Sequence, residues 1–185
     1  MKIISGKFKG CVLKNFKVSR TRPTSQKVRK AIFDVLGNVI ENKSILDLFS
    51  GTGSLGFEAL SRGAKNVTFV EKNKQCLKMI KDNARFLKVT DNCRLAAQDV
   101  FAFLDFSLQQ KQNFQIIFAD PPYYYGLTEK LLHKVSSLLV NAKFEILVLE
   151  HYKKDILPHR VNGIELLQIK KYGDTFVSFY LINSK

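Results

Sequence analysis

No acidic residue occurs among the first 30 positions of this 185-residue sequence, yet Lys2, Lys7, Lys9, Lys14, Lys17, Arg20, Arg22, Lys27, Arg29 and Lys30 all fall there. Cysteine is scarce: Cys11, Cys76 and Cys93 are odd in number and far apart. They make neither a disulfide framework nor a zinc knuckle, and isolated thiols of this kind point to a cytoplasmic protein. No run of 18 apolar residues is present, which excludes a transmembrane helix. Met1–Lys7 lacks an apolar core of signal-peptide length. There is no Gly-x-Ser-x-Gly elbow for a serine hydrolase. His133, His151 and His159 lie on unrelated segments with no second ligand at usable spacing, so no metal is expected. Internal repeats, low-complexity tracts and interdomain linkers are missing too.

What is present reads as one folded unit, expected to be monomeric. Hydrophobic residues are 45% and charged residues 25% of the chain, values that argue against disorder. At this length roughly 70% of the unfolded surface can be buried. The net charge is +14, and most of it belongs to the first 30 residues; the remainder holds 20 basic against 16 acidic residues. A basic arm on a nearly balanced body is the footprint of a polyanion partner, and solubility alone gives no reason to concentrate charge at one end. A membrane surface suits the arm less well, because it lacks an apolar helical face. Residues 1–23 are therefore expected to form a basic arm and 24–185 the main domain.

Residues 2–16 read as a hairpin with turn glycines at Gly6 and Gly10. Thr24 or Ser25 can cap a helix after Pro23, and Val28, Ala31, Ile32, Val35, Leu36 and Val39 follow helical spacing. Strands are expected at Ser44–Phe49, Asn66–Val70, Cys93–Ala97, Ile116–Ala119 and Ile146–Leu149. Helices are expected over Leu55–Arg62, Lys72–Lys88, 100–109 and 127–140. This alternation predicts an α/β fold: a mostly parallel sheet covered on both faces. Ile164–Lys170 and Thr175–Ile182, around the polar turn Tyr172-Gly173-Asp174, predict a closing antiparallel hairpin.

Two segments carry chemistry. The first is Asp47-Leu48-Phe49-Ser50-Gly51-Thr52-Gly53-Ser54-Leu55-Gly56, a Gly-x-Gly-x-x-Gly between a strand and a helix. Glycines there let the backbone turn sharply and approach a ligand closely. Glu71 ends the next strand, where a carboxylate can accept from both hydroxyls of an adenosine ribose. Asp47 suits a cationic ligand group better than a pyrophosphate, which it repels. Asp99, after the third strand, can accept from an adenine amine or cap the following helix.

The second segment is Asp120-Pro121-Pro122-Tyr123. Consecutive prolines cannot extend a central strand and force a rigid corner at its end. That corner carries a carboxylate, bare carbonyl oxygens and an aromatic ring. The set suits the exocyclic amine of a planar base, a poor nucleophile because its lone pair is delocalised. Asp120 and the Pro121 carbonyl can bind its two N–H groups and localise that lone pair. Tyr123 can stack on the base, worth roughly 1–3 kcal/mol. Tyr124 and Tyr125 extend the aromatic run and are read as base-pocket, core or surface residues alike. An electrophilic methyl held in line about 3–3.5 Å away then needs little beyond positioning.

With these motifs the chain resembles the class I S-adenosylmethionine-dependent amino-methyltransferases. The opening Ile3-Ile4-Ser5-Gly6-Lys7-Phe8-Lys9-Gly10, the segment Arg22-Pro23-Thr24-Ser25-Gln26-Lys27-Val28-Arg29, and Gly56-Phe57-Glu58-Ala59-Leu60-Ser61-Arg62-Gly63-Ala64 narrow the resemblance to the RsmD family, guanine-N2 methyltransferases of bacterial 16S ribosomal RNA. The resemblance implies a Rossmann-like, seven-stranded sheet and S-adenosylmethionine held by Asp47, Phe49, Gly51 and Gly53, with Glu71 on the ribose and Asp99 on the adenine. It implies that Arg22 and Thr24 lie near the cofactor's carboxylate and that Asp120, Pro121, Pro122 and Tyr123 hold the target base. Lys7, Lys9, Lys14, Lys17, Arg20 and Tyr124 are the expected RNA contacts, with 16S rRNA or the small ribosomal subunit as partner.

Three other readings compete. A nicotinamide-dependent oxidoreductase explains Glu71 but leaves Asp47 and Asp-Pro-Pro-Tyr without a role. A non-catalytic RNA-binding module does not explain why acids converge on one sheet edge of a basic protein. An adenine-N6 methyltransferase of DNA or another RNA shares Asp-Pro-Pro-Tyr, but such enzymes usually carry an added recognition region.

Overall fold

A computed structural model describes residues 1–15, 25–109, 113–123, 126–138 and 144–182. The parallel core is built from β1 (Ser44–Leu48), β2 (Asn66–Val70), β3 (Cys93–Ala96), β4 (Ile116–Ala119) and β5 (Ile146–Tyr152). Helices α1 (Gln26–Leu36), α2 (Ser54–Ser61), α3 (Lys74–Phe86), α4 (Val100–Gln109) and α5 (Leu127–Leu138) precede or connect these strands. The chain closes with β6 (Arg160–Val161), β7 (Ile164–Tyr172) and β8 (Thr175–Ile182). The sheet order is β3-β2-β1-β4-β5-β8-β7-β6, with β8, β7 and β6 each antiparallel to the strand before them in that order. The terminal hairpin is present as expected. Among the described residues the sheet has eight strands rather than seven, because β6, only two residues long, adds an edge that leaves no periodic signal in the sequence.

Alternation within the strands splits the core into two layers. Ile45, Ile116 and Phe118 pack with α1, α2 and α3, whereas Leu46, Ile117 and Ala119 pack with α4 and α5. This is the period-two rule applied to strands buried on both faces. On α3, Cys76, Ile80 and Ala84 are buried as the spacing predicts. On α1, Ser25 caps the helix by accepting from the Val28 N–H at 3.2 Å. Helical spacing breaks at Leu36: a 3-10 turn over Gly37–Ile40 buries Ile40 and leaves Val39 exposed.

The N-terminal segment folds back on itself through one bridge, Lys2 to Val12, and further backbone hydrogen bonds such as Ile3 N–H to the Cys11 carbonyl at 3.0 Å, and it is also bonded to the domain. The Glu58 carboxylate on α2 accepts from Ile4 N (2.9 Å) and Ser5 N (3.1 Å), while the Asn83 side chain on α3 both accepts from and donates to the Lys14 backbone. Gly6 has φ of +81°, and a Cβ there would lie 1.8 Å from the Ser61 carbonyl oxygen, so only glycine lets the arm close on α2. Ile3 and Leu13 are buried in the layer beneath. The side chains of Lys7, Lys9 and Lys14 stay exposed.

Candidate active site

The carboxyl ends of β1, β2 and β4 bring the predicted acids together, at the edge where open α/β sheets bind ligands. Asp47 is buried in β1, and its Oδ2 accepts the Gly56 N–H at 3.0 Å. After β1 the chain bends through Phe49, at φ +55°, a left-handed conformation that costs an aromatic residue energy and persists only where surroundings impose it. The Ser50 hydroxyl donates to the Asp47 carbonyl at 2.6 Å, and Gly53 N–H donates to the Ser50 carbonyl at 2.8 Å. Glu71 is half-buried directly after β2; its Oε2 accepts from Gly51 N–H at 2.9 Å and its Oε1 from Asn73 N–H at 2.8 Å.

Burial, reinforced by the nearby carboxylates of Asp120 and Glu71, pushes the Asp47 carboxyl up to about 8, against the pull of the Gly56 hydrogen bond. A basic protein thus gathers three acids at one sheet edge. A cationic ligand group relieves that repulsion. Gly51 adds room: a Cβ there would meet nothing closer than the Phe49 carbonyl oxygen at 4.0 Å, so the loop backbone is open to close approach.

Asp120 follows β4 directly, with Pro121 buried and Pro122 exposed. Tyr123 is half-buried and anchored by its hydroxyl, which accepts from Thr175 Oγ1 at 2.9 Å and donates to Glu150 Oε1 at 3.4 Å. Burial raises the phenol above its ordinary range, so Tyr123 keeps its proton and is no base. Its ring lies 5.9 Å from that of Tyr152 at 38°. Beside it opens a cavity of about 300 Å³ lined by Ser25, Lys27, Glu150, Lys171 and Thr175.

Asp99 is exposed and takes the capping alternative, accepting from Phe101 N–H at 2.9 Å through Oδ1. Lys7, Lys9 and Lys14 are not brought to this edge. Lys7 is bonded through its backbone to Ser61, at the far end of α2, about 12 Å from the glycine loop at 1.5 Å per residue. Lys17, Arg20, Arg22, Thr24 and Tyr124 lie outside the described residues. The residues that sequence reasoning missed are Glu150 and Thr175. Glu150 did carry a signal, a carboxylate ending an apolar strand, the same one that marks Glu71.

Residues 1–181 match the protein family described as conserved hypothetical protein 95. The ribosomal RNA small subunit methyltransferase D of Haemophilus influenzae is 39% identical over 137 residues, covering 71% of this chain and 68% of the relative. The chain belongs to the RsmD family of methyltransferases. YlbH of Bacillus subtilis is 33% identical to this RsmD-family chain over 180 residues, covering 97% of it and 98% of the relative. The solved structure of yhhF from Escherichia coli superposes with a TM-score of 0.84 at 29% identity, covering 100% of this chain and 99% of the other. As an RsmD-family member the chain is a methyltransferase. The acid cluster and the open Gly51 backbone suit a ligand with a cationic group such as a sulfonium. No helix among the described residues is long and apolar enough to cross a membrane.

Proposed function

We propose that this protein acts as a monomer in the cytoplasm and methylates the exocyclic N2 amine of a guanine in 16S ribosomal RNA. One observation carries the reading: parallel β1 and β4 are paired with Leu48 opposite Ala119, so the glycine loop that follows β1 and the Asp120 corner that follows β4 leave the sheet at one edge. When bound, S-adenosylmethionine supplies an electrophilic methyl group on a sulfonium. Asp47 faces the cation, Phe49, Gly51 and Gly53 shape the loop around it, and Glu71 accepts from the ribose hydroxyls. The free oxygen of Asp99 can take the adenine amine while the other caps α4.

Asp120 and the Pro121 carbonyl accept the two N–H groups of the target amine and draw its lone pair out of conjugation. Tyr123, its ring fixed by Thr175 and Glu150, provides the stacking surface. The methylated nitrogen is cationic and acidic, so Asp120 need only take a proton already labile. An adenine-N6 enzyme uses the same corner, and the product distinguishes the two.

The test is nucleoside mass spectrometry of small-subunit RNA incubated with the purified protein and S-adenosylmethionine. N2-methylguanosine is the expected product, absent with Asp120→Ala while cofactor affinity stays within a few fold. N6-methyladenosine instead, or full activity in Asp120→Ala, overturns the assignment.

A further inference from the structure

We infer that Glu150 is a specificity-determining residue: from the floor of the cavity beside Tyr123, its carboxylate accepts the N1–H of the target base and thereby selects guanine over adenine. The inference rests on the guanine-N2 reading above and deepens it.

Glu150 lies in β5 at 5% exposure and lines the cavity together with Thr175. Ala119 of β4 is in register with Leu149 of β5, so Asp120, just past the end of β4, stands abreast of Glu150 within β5, at the spacing of about 4.8 Å between neighbouring strands. Both carboxylates lie close enough to act on the phenol of Tyr123, and Glu150 Oε1 accepts a hydrogen bond from its hydroxyl at 3.4 Å. Through its hydroxyl, Tyr123 of the corner touches Glu150 and Thr175, two of the residues that line the cavity. At the rim, Lys27 and Lys171 are exposed cations, Lys27 over the Tyr172 ring at 6.0 Å and Lys171 over the Phe176 ring at 5.2 Å. Acceptors at the floor and cations at the mouth suit an extruded nucleotide, base inward and phosphates outward. A volume of about 300 Å³ is at the small end for ligand pockets, the scale of one such unit.

The chemistry of two adjacent acceptors then decides the base. Guanine places a ring N–H next to its exocyclic amine, two donors side by side. Adenine and cytosine place a ring-nitrogen lone pair beside theirs, and a carboxylate repels it. Uracil has no amine. Burying a carboxylate is costly unless something hydrogen-bonds to it, and a donor edge on the substrate adds such a bond.

The experiment uses semisynthetic small-subunit RNA with either guanosine or 2-aminopurine riboside at the methylated position. 2-Aminopurine keeps the N2 amine but has a lone pair at N1. Wild-type protein is expected to favour guanosine at least tenfold in kcat/KM. In Glu150→Gln, whose amide can donate to N1, that preference should fall to within about twofold while the melting temperature is retained. A wild-type protein that methylates both bases equally overturns the inference whether or not the variant folds, as does a folded Glu150→Gln with an unchanged ratio. A wild-type protein that methylates neither base overturns the guanine-N2 reading itself, and the inference with it.

Discussion

The backbone N–H of Gly51 donates to Oε2 of Glu71 at 2.9 Å, tying the glycine loop to the end of the neighbouring strand. The other carboxylate oxygen holds Asn73, which in turn caps α3 by accepting from Gln75 N–H at 2.9 Å. Each oxygen of Glu71 retains a lone pair beyond these bonds, so one side chain shapes the loop and keeps two acceptors for the ribose contact proposed above.

Glu71→Ala should therefore weaken S-adenosylmethionine binding at least tenfold. A hydrogen bond to a charged group is worth roughly 1.5–3 kcal/mol, and about 1.4 kcal/mol is a factor of ten. Glu71→Gln keeps one acceptor oxygen and should fall between. Titration calorimetry reads both. Wild-type affinity in a folded Glu71→Ala removes the ribose role.

Asp47 should make cofactor binding depend on pH. Its folded pKa is held near 8 against an ordinary value of 3.8, so between those limits the unfolded chain releases a proton that the folded chain retains. Stability of the ligand-free protein thus falls as pH rises through that window. A cation beside Asp47 favours the ionised form. Cofactor affinity should rise with pH until about 8 and then level off, with proton release at pH 7. Calorimetry in two buffers of different protonation enthalpy measures that release. Asp47→Asn should abolish the release and bind more weakly, and an unaltered release would move the titrating group elsewhere.

The parts of this architecture legible in the sequence are the local ones. The glycine loop, the acids ending β1 and β2 and the corner at Asp120 each declare themselves within a dozen residues. The anchoring of Tyr123 does not, because Glu150 and Thr175 lie 27 and 52 positions further on. Docking of the arm is equally hidden: Ile4 and Glu58 are 54 positions apart, and nothing in a helix-forming Glu-Ala-Leu-Ser marks a carboxylate as the receptor for another segment's backbone. Asp99 is ambiguous in the sequence because capping a helix and binding an amine need the same residue at the same place.

Glu58 should be a stability residue. At 1% exposure it accepts from Ile4 and Ser5, pairs with Arg62 Nε at 2.9 Å, and faces the buried Arg29 Nε at 3.6 Å. Glu58→Ala leaves the Arg29 cation without its carboxylate, and breaking a buried pair this way costs about 3–5 kcal/mol. For a domain of this size that lowers the melting temperature by roughly 10 °C. The arm should also become cleavable in limited proteolysis, and a variant that melts like wild type would show that Glu58 does not hold it.

The arm presents its charges outward while its backbone is docked, so folding and RNA binding should separate cleanly. Lys14 Nζ lies 3.6 Å from Asp82 on an exposed surface, a contact of little worth to stability. Replacing Lys7, Lys9 and Lys14 together by Gln should shift the melting temperature by only a few degrees, since exposed substitutions usually stay within about 0.5 kcal/mol each. Ile3→Ala or Leu13→Ala should do the opposite, costing about 2–5 kcal/mol through buried cavities without removing a charge. In the lysine variant, affinity for small-subunit RNA should drop, and the slope of log affinity against log salt should become shallower by roughly 0.7–0.9 for each phosphate left without its cation. Cofactor affinity should hold, because Lys7 is docked at the far end of α2 and Lys14 near the far end of α3, both away from the glycine loop. An unchanged salt slope would move the RNA footprint from the arm to Lys27 and Lys171 at the cavity mouth, where neutralising that pair should then make the slope shallower instead.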